Sequence, residues 1–381
     1  MPNYINANTV NIRANIFLNN PNVVNVDLRN TACVDNSMVN AFRNCRNLQS
    51  VTNINNNVTN MANAFRFCYN LVNAPEIPNL VTDITNTFGQ CANLVNAPAI
   101  PNSVTNMAYA FDYCDNLLNA PTIPTYVTNI RGTFRNCSSL VNAPIIPNHI
   151  VDMGYAFAQC SKLVNAPEIP NSVTDISGTF SSCSNLVDAP VIPNSVTNMS
   201  RTFSSCSKLI NAPEIPNSVT DMFMAFEYCR KLVNVPVIPN SVTDMYETFR
   251  YCSNLVNASE ISNSVTTMSG TFCNCTNLTG DIYIYSNQIT NATNCFVNTT
   301  LTKNVYIPFK YGNSVNTTTY NSFIAAGYDE IGTQHGVYLK ELILDEDRDG
   351  GYVYEEVDGS DDAGYVTDLT ITDTYDVGEM E

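Results

Sequence analysis

Tryptophan is absent from the 381 residues, histidine occurs only twice, and charged residues make up just 13% of the chain. Soluble domains commonly carry about 25% charged residues, so here asparagine, serine and threonine must supply the polarity. With only His149 and His335, the sequence offers no Ser-His-Asp or Cys-His grouping. It also lacks a glycine-rich phosphate loop, and no carboxylate pair recurs along its repeating part. Catalysis is therefore not expected. Seventeen basic residues face 34 acidic ones, a net charge of −17, which excludes a basic footprint for nucleic acid. No apolar stretch approaches the roughly 20 residues needed to span a bilayer. Met1 to Asn20 lacks the basic start, apolar run and small-residue cleavage site of a secretory signal. Neither end shows a lipidation or anchor motif. The expectation is a soluble chain with no export signal of its own.

What the chain does have is a period. Eleven cysteines fall at 45, 68, 91, 114, 137, 160, 183, 206, 229, 252 and 275, each 23 residues from the last. Phenylalanine stands three residues before each of them and leucine three residues after. A fixed period of this length is the mark of a solenoid, in which each repeat forms one coil and the core grows along one axis. A single coil holds about half a dozen apolar side chains, too few to offset the entropy of ordering it. Stacking is therefore obligatory.

Within a unit such as Leu163 to Cys183, the short apolar stretch Leu163–Pro170 suits one strand per coil, with Pro167 and Pro170 at a bulge or strand end. The Asn-Ser turn after Pro170 reverses the chain. Thr174 or Asp175 is then placed to cap a short helix carrying Ile176, Phe180 and Cys183 inward at about i, i+4, i+7. The fold class read from these residues is an α/β solenoid with one short strand and one short helix per 23-residue coil. Its divisions are an N-terminal capping coil over 1–32, about eleven coils over 33–280, a C-terminal cap over 281–344 and an acidic tail over 345–381.

The phrase I-P-x-S-V-T-x-M-x-x-x-F-x-x-C-x-x-L, present as Ile215 to Leu232, resembles the BspA-like leucine-rich repeats. The resemblance covers about residues 33–280. It implies a right-handed solenoid and an adhesive role, since members occur as bacterial and protist surface adhesins and similar repeats appear in phage structural proteins. The missing export signal and anchor turn the expectation toward a non-enzymatic, virion-associated surface protein: a phage fibre, tail or head decoration contacting host or environment. The alternative is a bacterial cell-surface adhesin of the BspA type, and a third reading is an intracellular interaction scaffold. A protein or glycan surface ligand is the expected partner, with other virion subunits held through the C-terminal region.

One thiol per coil at an apolar position reads as a ladder of reduced, buried cysteines, because cysteine behaves as a small hydrophobe. Cys273 and Cys275 form the one close pair, too few ligands for structural zinc. Asparagine recurs two residues after the first leucine of most coils (Asn73, Asn96, Asn119, Asn142, Asn165), which suggests an amide ladder between coils.

Columns that vary between coils carry the functional expectation. Around the Phe-x-x-Cys core, Phe67, Tyr69, Arg135, Tyr155, Glu227, Lys231 and Glu247 change freely while the framework does not. Tyrosine and arginine are enriched at binding hot spots. Two patches therefore stand out as partner-binding candidates: Tyr109, Asp112 and Tyr113, then Tyr228, Arg230, Tyr246, Arg250 and Tyr251. Residues 345–381 hold fourteen carboxylates against one arginine. Within them Asp345, Asp347, Asp349, Gly350 and Glu356 match calcium-loop spacing, so calcium is the one cofactor the sequence allows. A plain acidic tail, serving as an attachment segment, is the competing expectation.

Overall fold

A computed structural model describes residues 4–6, 11–29, 31–258, 260–299, 303–309, 317–334 and 337–342. It shows a parallel stack of coils. The first three pair through β1 (Tyr4–Asn6), β2 (Asn25–Asp27) and β3 (Ser50–Thr52), in register Ile5–Val26–Val51. At the other end β4 (Ile282–Tyr283), β5 (Lys303–Ile307) and β6 (Val337–Glu341) form a second parallel sheet, with α1 (Thr318–Ala325) between β5 and β6. Between the sheets the expected strand per coil shrinks to single-residue bridges. One column joins Asn73, Asn96, Asn119, Asn142 and Asn165, and a second joins Asn60, Asp83, Asn106, Asn129 and Asp152. Prolines such as Pro167 and Pro170 cannot donate to a ladder, which keeps the pairing short.

The expected helix in each coil is not there. From Met61 to Cys68 alternate N–H groups point out of the coil. Those of Met61, Asn63, Phe65 and Phe67 donate to the carbonyls of Asp83, Thr85, Thr87 and Gly89 at 2.8–3.0 Å. Those of Ala64, Arg66 and Cys68 donate to the carbonyl three residues back, at 2.9–3.2 Å. An α-helix spends every N–H four residues back along its own axis, so this run of turns is a different structure that welds coil to coil. Two residues per coil, five and one before the cysteine, adopt left-handed backbone. They are Asn63 and Phe67 (φ 56° and 66°), then Asn86 and Gln90 (53° and 62°), and so on down the stack. Asp175, expected as a cap, does start its run: its Oδ1 accepts the Ser177 N–H at 2.8 Å.

The inward side chains of the turn runs build the core. Phenylalanines stack from Phe17 through Phe42, Phe65 and onward to Phe296, with successive ring centroids 5.1–6.0 Å apart. Phe323 from α1 and Tyr328 close that stack against Phe296, whose N–H donates to the Tyr328 hydroxyl at 2.8 Å. The eleven periodic cysteines are fully buried, and all fourteen cysteines are unbridged. Each ladder thiol donates to a phenylalanine carbonyl of the preceding coil, as Cys68 does to Phe42 at 3.1 Å and Cys160 to Phe134 at 3.1 Å. Asn73 and its equivalents are exposed and are joined through their backbones. An amide ladder forms in another column instead, Asn47–Asn70–Asn93–Asn116, at 3.4–3.5 Å. No helix among the described residues is long and apolar enough to cross a membrane.

Candidate functional site

Outward side chains of the turn runs form columns along one face. The column five residues before each cysteine holds Asn63, Asn86, Tyr109, Gly132, Tyr155, Gly178, Arg201, Met224, Glu247 and Gly270. All of these have φ between 50° and 65°. The column one residue before holds Phe67, Gln90, Tyr113, Asn136, Gln159, Ser182, Ser205, Tyr228 and Tyr251, again left-handed. Glycine and asparagine suit such a backbone; for other L-residues it costs roughly 1–2 kcal/mol each. Tyrosine at five of these positions is therefore an expense that folding alone does not explain.

Where one coil carries tyrosine, the next often carries glycine to receive it. A Cβ at Gly132 would lie 2.3 Å from Cε1 of Tyr109, and one at Gly178 would lie 2.4 Å from Cε1 of Tyr155. The rings thus lie flat along the stack over bare backbone.

The first patch centres on Arg135. Its guanidinium stands 5.4 Å from the Tyr109 ring and 5.5 Å from the Tyr113 ring, and it grips Asp112 with two hydrogen bonds of 2.8 Å. Asp112 is buried, at 4% exposure. It anchors the arginine rather than meeting a partner. From the same coil as Arg135, Arg131 reaches into the following coils, bridging Asp152 and Asp175 at 3.4 and 3.2 Å and lying over Tyr155.

The second patch is a double aromatic stack. Tyr228 and Tyr251 lie 4.4 Å apart and nearly parallel, and Phe223 and Tyr246 lie 5.1 Å apart. Arg250 covers Tyr251 at 5.0 Å and pairs with Glu247 at 3.0 Å and Glu227 at 3.7 Å. Burial and the neighbouring Glu247 charge raise the Glu227 pKa, against the opposing pull of Arg250. Arg230 is exposed and reaches over Tyr228 at 5.9 Å.

The structure thus brings Tyr109, Asp112 and Tyr113 together, and separately Tyr228, Arg230, Tyr246, Arg250 and Tyr251, all on the turn-run face. Arg43, Arg46, Arg66, Arg131 and Arg201 also occupy that face, and sequence variation alone did not single them out. The signal that finds them is the column: Arg43, Arg66, Gly89, Asp112 and Arg135 stand in consecutive coils at one position. Asp345, Asp347, Asp349 and Glu356 lie outside the described residues. Among those described, no group of three or more His, Cys, Asp or Glu is placed to hold a metal ion.

A model of the BspA type leucine rich repeat region matches in six copies, over residues 4–118, 107–222 and 200–325. The chain belongs to the BspA-type leucine-rich-repeat family. No curated protein matches it. Among solved BspA-like and other leucine-rich-repeat structures it is similar to a protein from Bacteroides ovatus, at 22% identity and a TM-score of 0.48, covering 80% of this chain and 86% of that one. A leucine rich cell surface protein from Faecalibacterium prausnitzii shares 23% identity, covering 77% and 84%, with a TM-score of 0.46. The T. pallidum leucine rich repeat protein shares 28% identity over 44% of this chain and 80% of its own length, with a TM-score of 0.38.

Proposed function

We propose that this chain is a non-enzymatic adhesion protein of a bacterial surface, and that its turn-run face makes the contact with a protein or glycan on the opposing surface. The observation that carries the reading is the placing of Tyr109, Tyr113, Tyr228 and Tyr251 on left-handed backbone. Coils elsewhere fill the same columns with glycine, asparagine, serine, glutamine or other side chains, so the stack does not require the rings. Flat tyrosine rings held by half-buried ion pairs give a rigid, partly apolar contact surface, the composition that concentrates binding energy. Membership in the BspA-type family supports the adhesive role. A place on a virus particle gains nothing from the fold or the family, so the bacterial surface is the reading carried forward.

The test replaces Tyr228, Arg250 and Tyr251 with serine. The variant should keep the circular-dichroism spectrum and melting point within a few degrees. It should lose most of the binding of the labelled chain to surfaces coated with mucin or extracellular-matrix protein. Undiminished binding by a folded triple variant refutes the assignment of this face.

A further inference from the structure

The column two residues before the cysteine reads Arg43, Arg66, Gly89, Asp112, Arg135 in consecutive coils, and later Glu227, Arg250, Cys273. Its lower arginines are neutralised from within the column, Arg135 by Asp112 at 2.8 Å and Arg250 by Glu227 at 3.7 Å. The first two are not. No described carboxylate lies within ion-pair distance of Arg43, Arg46 or Arg66. Gly89 leaves the next position empty; the Cγ of Arg66 passes 3.5 Å from where a Cβ there would stand. The buried Nε of Arg66 has no hydrogen-bond partner. Burial and the adjacent Arg43 charge lower the Arg66 pKa, against the more distant pull of Asp112, which Arg135 already engages.

Like charges stacked one coil apart, with a buried donor unspent, cost stability unless an anion completes them. With 34 acidic residues in the chain, the lack of a counter-charge here is no shortage of acids.

The surroundings describe what would complete the site. Both guanidiniums lie over one ring, Arg43 at 5.9 Å and Arg66 at 4.8 Å from Phe67, while Arg46 lies 5.7 Å over Tyr69. Asn44 donates to Asn19 at 2.8 Å and accepts from Arg46 at 2.9 Å. Asn19, Arg43, Asn44, Arg46, Phe67 and Tyr69 line a shallow open depression of about 340 Å³. The N–H groups of Arg43, Asn44, Arg66 and Phe67 are all spent within the run or on the next coil. No main-chain edge is therefore offered to an extended peptide, and side chains must do the recognising.

The geometry points to a subsite for an acidic saccharide: the carboxylate or sulfate of a sugar held by the Arg43 guanidinium, with Arg66 at the edge of the depression over the same Phe67 ring adding its charge, its hydroxyls by the Asn19–Asn44 amides, and its ring against Tyr69. Guanidinium pairs with such planar or multi-oxygen anions through paired hydrogen bonds. The site lies apart from the two tyrosine patches and stands whether or not those patches bind.

The test is calorimetry on the full chain with four probes: a hyaluronan tetrasaccharide (carboxylates only), a heparin tetrasaccharide (sulfates and carboxylates), neutral chitotetraose, and a tetraglutamate peptide. One or both acidic saccharides should bind, more weakly as salt rises, and chitotetraose should not. Hyaluronan binding would assign the carboxylate as sufficient, whereas heparin binding alone would assign sulfate. Replacing both arginines (Arg43→Gln with Arg66→Gln) should weaken binding at least tenfold. Phe67→Asn should weaken it several-fold while raising the melting point, because asparagine accepts the left-handed backbone at φ 66° that phenylalanine resists. The Tyr228, Arg250, Tyr251 triple serine variant should bind the saccharide as the parent does, which separates this site from the second tyrosine patch on the same face. No binding of either acidic saccharide, equal affinity for tetraglutamate, or undiminished binding by the double arginine variant would overturn the assignment.

Discussion

Mild alkali should unfold this protein, and the thiol ladder sets the size of the effect. The eleven periodic cysteines are fully buried. Burial pushes the Cys45 thiol up to about 11 and Cys183 up to about 12, and raises the other nine as well. In the unfolded chain the same groups ionise near 9.0. Above that pH the unfolded state has shed protons that the native state still holds. Stability is then intact below pH 9 and falls as pH rises toward the native values. One unit above 9, each thiol contributes a loss of about 1.4 kcal/mol, so eleven together remove on the order of 15 kcal/mol, comparable to the whole stability of an ordinary domain. Lys303 works the other way. It is buried, its pKa is lowered to about 8, and it adds stability between about pH 8 and 10.5, though by no more than roughly 3 kcal/mol. Eleven thiols outweigh one lysine. Urea titrations in a phosphine reductant at pH 7.5, 8.5, 9.5 and 10 should show the folding free energy dropping steeply above 8.5. Thiolate absorbance should appear together with the loss of structure. Changing Cys160 or Cys206 to alanine should reduce the slope by about 1.4 kcal/mol per pH unit each. A stability that stays flat to pH 10, or thiolate absorbance rising near pH 9 in folded protein, would refute the reasoning.

Other consequences are local. Met224, at φ 53° and with its side chain half-buried, should accept asparagine with a gain of about 1 kcal/mol, read as a higher urea midpoint. Gly132→Ala should cost about 1–3 kcal/mol, because its φ is 59° and the new Cβ meets the Tyr109 ring at 2.3 Å. Pairing it with Tyr109→Ala should recover the steric part, leaving the backbone cost alone. Phe157→Ala removes a ring stacked between neighbours at 5.6 and 6.0 Å and should cost about 3–5 kcal/mol, measured as a lowered melting point.

The solenoid was readable because three side chains per repeat, phenylalanine, cysteine and leucine, must each fall at zero exposure in every coil. The helix was not there to be read. Ile176, Phe180 and Cys183 have helical spacing, yet a turn run with left-handed residues at two positions four apart turns the same three inward. The discriminating residues were Gly178 and Ser182, whose equivalents are often glycine, asparagine or serine, types that weaken a helix and tolerate left-handed backbone. Tyrosines hid this rule by occupying the same positions in several coils. Variation between coils did mark the outward face of the turn runs, but not what each side chain does there. Asp112 reads as an exposed charge until Arg135 of the next coil is seen to enclose it. Arg43 and Arg66 are unremarkable in their own coils, and only stacking brings two unneutralised charges together. The calcium-like loop at 345–356 lies outside the described residues.

The hydrogen bonds between coils run in opposed directions. Turn-run N–H groups, such as those of Met61 and Phe65, point toward the C-terminal neighbour, whereas those of Thr82, Asn93 and Val95 point back to the preceding coil. Their dipoles largely offset one another along the axis, as in a sheet and unlike a helix. Each added unit therefore brings no growing field to be neutralised at the ends. Reach can be lengthened or shortened by whole 23-residue steps, about one ring spacing at a time, without retuning the terminal coils. A binding protein whose target lies at a variable distance would gain from that freedom.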